Sequence, residues 1–381
     1  MKVLHVFKSY FPDTVGGIEQ VICQLATGLA ALGDESRVYT LSRHPVPRIV
    51  ERPEAQVHRS RSTFEIASTP VSLAALTEFR RQLEWADVVH YQFPWPFADL
   101  LHLLWAADKP SIVSYQSDVV RQKWLLHAYK PLMNRFLASV DLVVATSPQY
   151  VASSPVLAGL ASKVRLIPNG VDKATYPQPS PERLAHWRSV VGEGFFLFIG
   201  MLRYYKGLAV LLEAAKGFRG KIVIAGAGPE EASLQQQAAR QGLGNVQLLG
   251  AVSDEDKMCL LELSLGFVFP SHLRSEAFGM SLVEAAMCEK PMVSCEITTG
   301  TSYINLNGVT GLTVPPEDAQ ALRDAMHKLM DQPELARAMG VAARSRHEAM
   351  FTAQHMARAY ASVYREVLDA RARGRPSLKT N

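Results

Sequence analysis

Short apolar runs separated by longer amphipathic stretches recur along this chain, stop once, and begin again. In the first half the runs fall at 3–7, 36–41, 87–91, 111–116, 141–146 and 163–168. Candidate helices lie between them at 18–32, 70–84, 97–107, 123–139 and 148–158. Runs of Val, Leu and Ile without polar alternation are strands covered on both faces, the condition of a parallel sheet between helical layers. The segment 42–69, rich in Arg, Pro and Ser, reads mainly as loop with one short strand near 55–59.

Asn169-Gly170 ends the first series, and Pro177, Pro179 and Pro181 are expected to interrupt any regular element over 169–194, so an interdomain linker falls there. The rhythm resumes with strands at 195–200, 221–226, 245–250, 266–271 and 291–296, then turns helical at 316–330, 332–347 and 352–369. A chain of 381 residues accommodates two such domains. The prediction is an α/β protein of two Rossmann-like α/β/α domains, 1–175 and 190–350, with a final helical segment over 351–372. Open parallel sheets bind ligands outside the carboxyl ends of their strands, so the expected site is a cleft between two such ends.

Composition narrows the partners. Forty basic against 36 acidic residues leave a net charge of +4, too small an excess for a nucleic-acid surface. Cys23, Cys259, Cys288 and Cys295 lack C-x-x-C spacing and read as isolated buried thiols. No apolar run approaches eighteen residues, so the expectation is a cytoplasmic protein, at most attached to the cytoplasmic face of an inner membrane.

Three stretches carry chemistry. Gly16-Gly17-Ile18-Glu19 follows the first strand and opens a helix, where paired glycines let backbone amides approach an anion; the G-x-G-x-x-G spacing of a dinucleotide site is absent. Arg203 and Lys206 sit in the turn after the strand ending at Gly200, a fork donor and a point charge within reach of one diphosphate. Glu276-Ala277-Phe278-Gly279-Met280-Ser281-Leu282-Val283-Glu284 follows the 266–271 strand. A helix beginning near Phe278 would aim its first amides at an anion, and Glu284 is a carboxylate in an apolar helix that needs partners if buried.

Together these stretches resemble the retaining glycosyltransferases of family 4, of the GT-B fold, over about residues 2 to 370. The resemblance implies that Glu276 holds donor sugar hydroxyls, that Glu284 holds the nucleotide ribose, and that Arg203 and Lys206 grip the diphosphate beside Phe278, Gly279, Met280 and Ser281. It further implies that Gly16 and Gly17, supported by Glu19, lie against the diphosphate and sugar. In Ser114-Tyr115-Gln116-Ser117-Asp118, continuing through Arg121 to Lys123, related polysaccharide transferases usually carry His where this chain has Gln116. Gln116 positions a hydroxyl but relays no proton, which leaves Asp118 as the nearest carboxylate and Gln116, Ser117, Asp118, Arg121 and Lys123 as acceptor-positioning candidates. The catalytic set implied is Glu276, Arg203, Lys206 and Asp118, with no metal and no cofactor.

Similarity over 111–123, 146–156, 270–289 and 291–315 points to bacterial O-antigen or capsule transferases, and implies a GDP-linked mannose or D-rhamnose donor and a lipid-linked saccharide acceptor. A UDP-linked donor, a sugar-nucleotide epimerase or phosphorylase, and a sugar-nucleotide or lipid-binding module without catalysis are the alternatives. Helix 123–139 sets Lys123, Lys130 and Arg135 beside aromatic residues and suits an anionic bilayer surface as well as its own sheet; Pro131 is expected to kink or end it.

Overall fold

The computed structural model describes residues 1–66, 69–118 and 123–374, and of 123–126 the backbone alone. The chain divides into two compact units, Met1–Gly170 with Ala353–Asn381, and Val171–Thr352.

The first unit holds an eight-stranded sheet built from β1 (Lys2–Val6), β2 (Glu35–Ser42), β3 (Ile49–Glu51), β4 (Gln56–Arg61), β7 (Val88–Phe93), β8 (Ser111–Tyr115), β9 (Leu142–Ala145) and β10 (Val164–Leu166), with a separate hairpin of β5 (Phe64–Ile66) and β6 (Thr69–Val71). Its spatial order is β10-β9-β8-β7-β1-β2-β4-β3, parallel throughout except for β3 against β4. β1 takes a neighbour on each side, Val3 facing Ser36 on β2 and Val88 on β7, which is why its Val-Leu-His-Val run is buried on both faces. The helix Gly17–Ala30 buries Val21, Ile22, Leu25, Ala26 and Leu29, the three-and-four spacing of one face. It packs against the helix Ala353–Ala372 so closely that a Cβ on Gly28 would lie 2.5 Å from that of Ala357.

Four local readings of the first unit need correction. Residues 42–69 are not mainly loop: β3, β4 and β5 lie there, and β4 alternates Val57 and Arg59 inward while looking polar in sequence. Arg59 is buried because its guanidinium donates to Asp13 at 2.7 Å and to the Pro47 carbonyl at 3.2 Å. The helix expected at 70–84 begins at Ala75, since Thr69–Val71 pairs as β6. The helix expected at 148–158 is two, Pro148–Ser153 and Pro155–Ala158, with the Ser154 hydroxyl capping the second. Pro131 neither ends nor divides the helix Lys123–Ser139.

The second unit carries a six-stranded parallel sheet of β11 (Phe196–Ile199), β12 (Ile222–Ala225), β13 (Val246–Gly250), β14 (Gly266–Phe269), β15 (Met292–Cys295) and β16 (Gly311–Val314), ordered β13-β12-β11-β14-β15-β16. β16 was not expected; it is four residues long, at an edge, after an Asn-Gly turn. The proline-rich stretch also forms a helix, Pro181–Val191: Pro181 takes its first turn, where no amide proton is needed, and the Ser180 hydroxyl accepts from the Arg183 amide at 3.3 Å. No helix among the described residues is long and apolar enough to cross a membrane.

Candidate active site

Each sheet reverses its direction of growth once, between β1 and β7 in the first unit and between β11 and β14 in the second. Such a switch point leaves a crevice at the carboxyl ends of the two central strands. The sequence candidates fall at these ends.

In the second unit, the loop after β11 carries Lys206 and the loop after β14 carries Glu276, and the two side chains form a buried ion pair. The Ser271 hydroxyl donates to the same carboxylate oxygen of Glu276 at 3.1 Å, and the Lys206 ammonium lies 4.8 Å from the Phe269 ring centre. Gly207 fixes this geometry. Its φ of +68° is left-handed, and a Cβ there would stand 1.9 Å from the Pro270 carbonyl oxygen, so the two loops touch only because the residue after Lys206 has no side chain. Arg203 is not drawn into the pair; it is exposed, its guanidinium donating to Met201 Sδ at 2.8 Å.

The helix Met280–Met287 starts at Gly279, which has φ +101° and no capping side chain. The amides of Met280 and Ser281 therefore have no carbonyl of their own helix to donate to. A Cβ on Gly200 would lie 3.8 Å from Ser281 Oγ, which places this helix start against the end of β11, while Phe278 is buried beneath it. One turn on, Glu284 is buried, its Oε1 accepting from Tyr176 Oη and from Lys257 Nζ, both at 2.8 Å. Burial opposes the Lys257 charge, but Glu284 and Asp254 outweigh it, and the ammonium titrates above the usual lysine range. Glu284 Oε2 has no hydrogen-bond partner among the described residues and remains available.

Sequence reasoning missed Ser271, Tyr176 and Lys257, which are polar residues in unremarkable positions 5, 108 and 27 residues from the carboxylates they hold. It also passed over Gly226-Ala227-Gly228 after β12, a signal of close approach: Cβ atoms there would lie 2.0 and 2.4 Å from the carbonyl oxygens of Gly200 and Leu202. Asp254-Glu255-Asp256 has the Asp-x-Asp spacing of some metal-dependent transferases. Its acids are otherwise engaged, Asp254 with Lys257 at 2.9 Å and Asp256 with Trp187 Nε1 at 2.7 Å, the Ser253 hydroxyl and Arg183. Among the described residues no group of three or more His, Cys, Asp or Glu is placed to hold a metal.

In the first unit, Gly16 is the extended residue preceding the helix Gly17–Ala30. Glu19 folds back over it, Oε1 accepting from Ser9 Oγ at 2.9 Å and Thr14 Oγ1 at 2.8 Å, and a Cβ on Gly16 would meet Glu19 Oε2 at 2.6 Å. After β8, Gln116 Nε2 donates to Gln92 Oε1 at 2.8 Å, and the chain of contacts continues through His90 and Ser114 to Tyr360 and Tyr364. Burial, with His5 beside it, keeps His90 neutral. Asp118 Oδ1 accepts from Tyr115 Oη at 2.9 Å and Ser154 Oγ at 2.7 Å, and its amide donates to Tyr150 Oη at 2.6 Å. Ser117 is half-buried beside it. Arg121, with the side chain of Lys123, lies outside the described residues.

Two Rossmann-like units in series form a GT-B fold, and the family models that match them make the chain a retaining glycosyltransferase. The fold is that of sucrose-phosphate synthase from Thermosynechococcus elongatus, with TM-score 0.80 at 21% identity over 97% of this chain and 99% of that one. A family model described as Glycosyltransferase Family 4 matches residues 15–175, and one described as Glycosyl transferases group 1 matches residues 181–346. The chain is 53% identical over 353 residues to D-rhamnosyltransferase WbpZ of Pseudomonas aeruginosa, covering 93% of each, and 48% identical over 371 residues to O-antigen chain mannosyltransferase C of Escherichia coli, covering 97% of this chain and all of that one. It belongs to glycosyltransferase family 4.

Against the expected GDP-linked donor, the nucleotide held in structures of the same fold is UDP. Anabaena Alr3699/HepE, with TM-score 0.77 at 20% identity over 95% of this chain and 99% of that one, was solved with UDP and glucose, and Staphylococcus aureus TarM was also solved with UDP.

Proposed function

We propose that this chain moves a hexosyl group, with retention at the anomeric carbon, from a nucleoside-diphosphate sugar to a lipid-linked saccharide in the assembly of a bacterial surface polysaccharide. The observation that carries the reading is the buried Lys206–Glu276 pair beside the uncapped helix start at Met280. One site thus offers a cation and free amides to a diphosphate, and carboxylate oxygens to sugar hydroxyls. The names of the two relatives support the class of acceptor and supply mannose and rhamnose as the first sugars to try. The UDP held by the structural neighbours supports a UDP-linked donor.

In the step, the bond from the anomeric carbon to the diphosphate oxygen breaks and the acceptor oxygen bonds to that carbon from the same face. The acceptor proton passes to the departing phosphate oxygen, so no side-chain base is required. Lys206, Arg203 and the amides of Met280 and Ser281 offset the charge growing on the diphosphate, Glu276 holds the sugar, and the open oxygen of Glu284 takes the ribose. In the first unit, Gly16 and Gly17 offer backbone amides, and Gln116, Ser117, Asp118, Arg121 and Lys123 position the acceptor.

The test is product formation on a lipid-linked acceptor across a donor panel, with Glu276→Ala as the control variant. Turnover of a UDP-linked sugar that vanishes in the variant supports the reading. Normal turnover in Glu276→Ala, or use of GDP-mannose in preference to every UDP-linked sugar, overturns the corresponding part.

A further inference from the structure

Alternation along β7 puts His90 and Gln92 on one face, and the pairing of Gln92 with Ser114 brings Ser114 of β8, with Gln116 just beyond it, to the same face. All four are buried, and the helix Ala353–Ala372 closes over them with Tyr360 and Tyr364, themselves buried and one turn apart. The hydrogen bonds among these six side chains have a direction. Gln116 Nε2 donates to Gln92 Oε1, which leaves the Gln92 amide nitrogen as the donor that meets His90 Nε2 at 3.3 Å. A ring nitrogen that faces a donor must be bare. Burial keeps the ring neutral, so its one proton is on Nδ1 and is donated to Tyr364 Oη at 2.8 Å. Ser114 Oγ then donates to the same Nε2 at 2.7 Å and accepts from Tyr360 Oη at 2.6 Å.

The ring is fixed from several sides. Turning it over would put a carbon where each nitrogen stands, and the rings of Tyr360, His5 and Tyr364 pack around it with centres 5.0, 5.3 and 5.8 Å away. Moving its proton to Nε2 would set two N–H groups against each other at the Gln92 contact. Gln92 relieves that only by reversing its amide, and Gln116 must then reverse as well, because two N–H groups would otherwise meet at their own contact. Asn169 lies next in line, its Nδ2 donating to Gln116 Oε1 at 3.4 Å. The position of one proton on a buried ring therefore decides which end of the Gln116 amide faces Gln92 and which faces Asn169.

We infer that His90 is a positioning residue for acceptor binding: as the Nδ1–H tautomer, held by Tyr364, it fixes through Gln92 the direction in which Gln116 presents its remaining N–H and carbonyl lone pair. This role rests on the acceptor reading of Gln116. His5 is the internal contrast. It pairs with His90 across β1 and β7 and is as deeply buried, yet neither of its ring nitrogens has a hydrogen-bond partner among the described residues, so it stands outside the chain of contacts.

The experiment begins with nitrogen-15 labelling of the histidines in the full chain, the His90 signal being assigned by its loss in His90→Gln; a protonated Nδ1 and a bare Nε2 are expected. Acceptor kinetics follow. A glutamine at 90 carries its amide near the place of Nε2, and an asparagine near that of Nδ1. His90→Gln should therefore hold KM for the acceptor within about twofold, whereas His90→Asn should raise it about five- to tenfold, the worth of one misdirected hydrogen bond, with donor KM and kcat little changed. Tyr364→Phe removes the partner that keeps the proton on Nδ1 and should raise acceptor KM about threefold; Tyr360→Phe, which leaves that proton in place, and His5→Gln should not. A proton on Nε2, equal acceptor KM in the two His90 variants at matched melting midpoints, or a rise in His5→Gln as large as in His90→Asn overturns the inference. If His90→Asn fails to fold, the wild-type tautomer and Tyr364→Phe decide it. Unchanged acceptor KM in Gln116→Ala, with His90 in the Nδ1–H form, instead overturns the acceptor reading of Gln116 and leaves the hydrogen-bond chain standing.

Discussion

The two units house the buried acids at their ligand ends in different ways. In the first, Glu19 and Asp99 stand in the first turns of the helices after β1 and β7 and are held by hydroxyls: Ser9 and Thr14 for one, Tyr129 for the other. In the second, Glu276 and Glu284 are held by lysines, each aided by one hydroxyl. A carboxylate in the first turn of a helix meets that helix's positive end. A carboxylate paired with a buried lysine does something else: it keeps a cation beside a helix start that has no cap. The same topology therefore sets hydroxyl-held acids in the first turns of its helices in one unit and lysine-held acids around a helix start in the other.

The comparison breaks first at Glu276. Glu276→Ala should lower kcat by about 10²–10³-fold, of the order seen when one preorganised polar contact is removed. It should also destabilise the second unit by about 3–5 kcal/mol by stranding Lys206. Lys206→Met in the Glu276→Gln background should recover most of the stability and none of the activity, read by denaturant unfolding alongside turnover. If activity returned with stability, the pair would be structural only.

Asp99 sharpens the contrast through pH. Burial raises its pKa to about 8, with the Tyr129 hydrogen bond opposing. A carboxyl whose pKa is raised on folding binds its proton more tightly in the native state. Its contribution is complete below the unfolded value of 3.8 and is lost as pH rises through about 8. Wild-type stability should thus fall over that range relative to Asp99→Asn by about a few kcal/mol. Parallel stability curves for the two proteins would refute it.

Glu284 lies between these cases. Lys257→Met should raise KM for the donor by about tenfold, roughly the 1.4 kcal/mol of one charge-assisted contact, with kcat little changed. Lys257→Arg should restore much of it; an unchanged KM would remove the ribose role from Glu284. The smallest effect belongs to Glu19, where Glu19→Ala should cost about 1 kcal/mol of stability, the usual net worth of a hydrogen bond, and shift kcat less than threefold. A larger loss of kcat would mean that the first unit's glycine turn is as active as the second's.

The contrast also marks what the amino-acid sequence disclosed. Strands buried on both faces announce themselves by composition, so the two parallel sheets and the positions of Lys206, Glu276 and Glu284 at strand ends were legible. The polar-patterned β4 and the four-residue edge strand β16 were not, because their pairing is decided by distant partners such as Asp13 with Arg59. In the site, the acids were visible and their holders were not: Tyr176 reaches Glu284 across 108 residues, and nothing local marks it. Likewise Asp118 stood out as a lone carboxylate, while the hydroxyls of Tyr115 and Ser154 that occupy its Oδ1 became evident only in three dimensions.

The close packing of Gly28 against Ala357 has a consequence for biosynthesis. The first unit is first to leave the ribosome but is completed by the last long helix, Ala353–Ala372, whereas the second unit is one uninterrupted stretch, Val171–Thr352. At 5–20 residues per second, the nascent sheet of the first unit waits roughly 10–40 s for the helix that covers the Gly17–Ala30 face. During that interval the helix face around Gly28 lacks its Ala357 cover, and the second unit has time to fold ahead of the first.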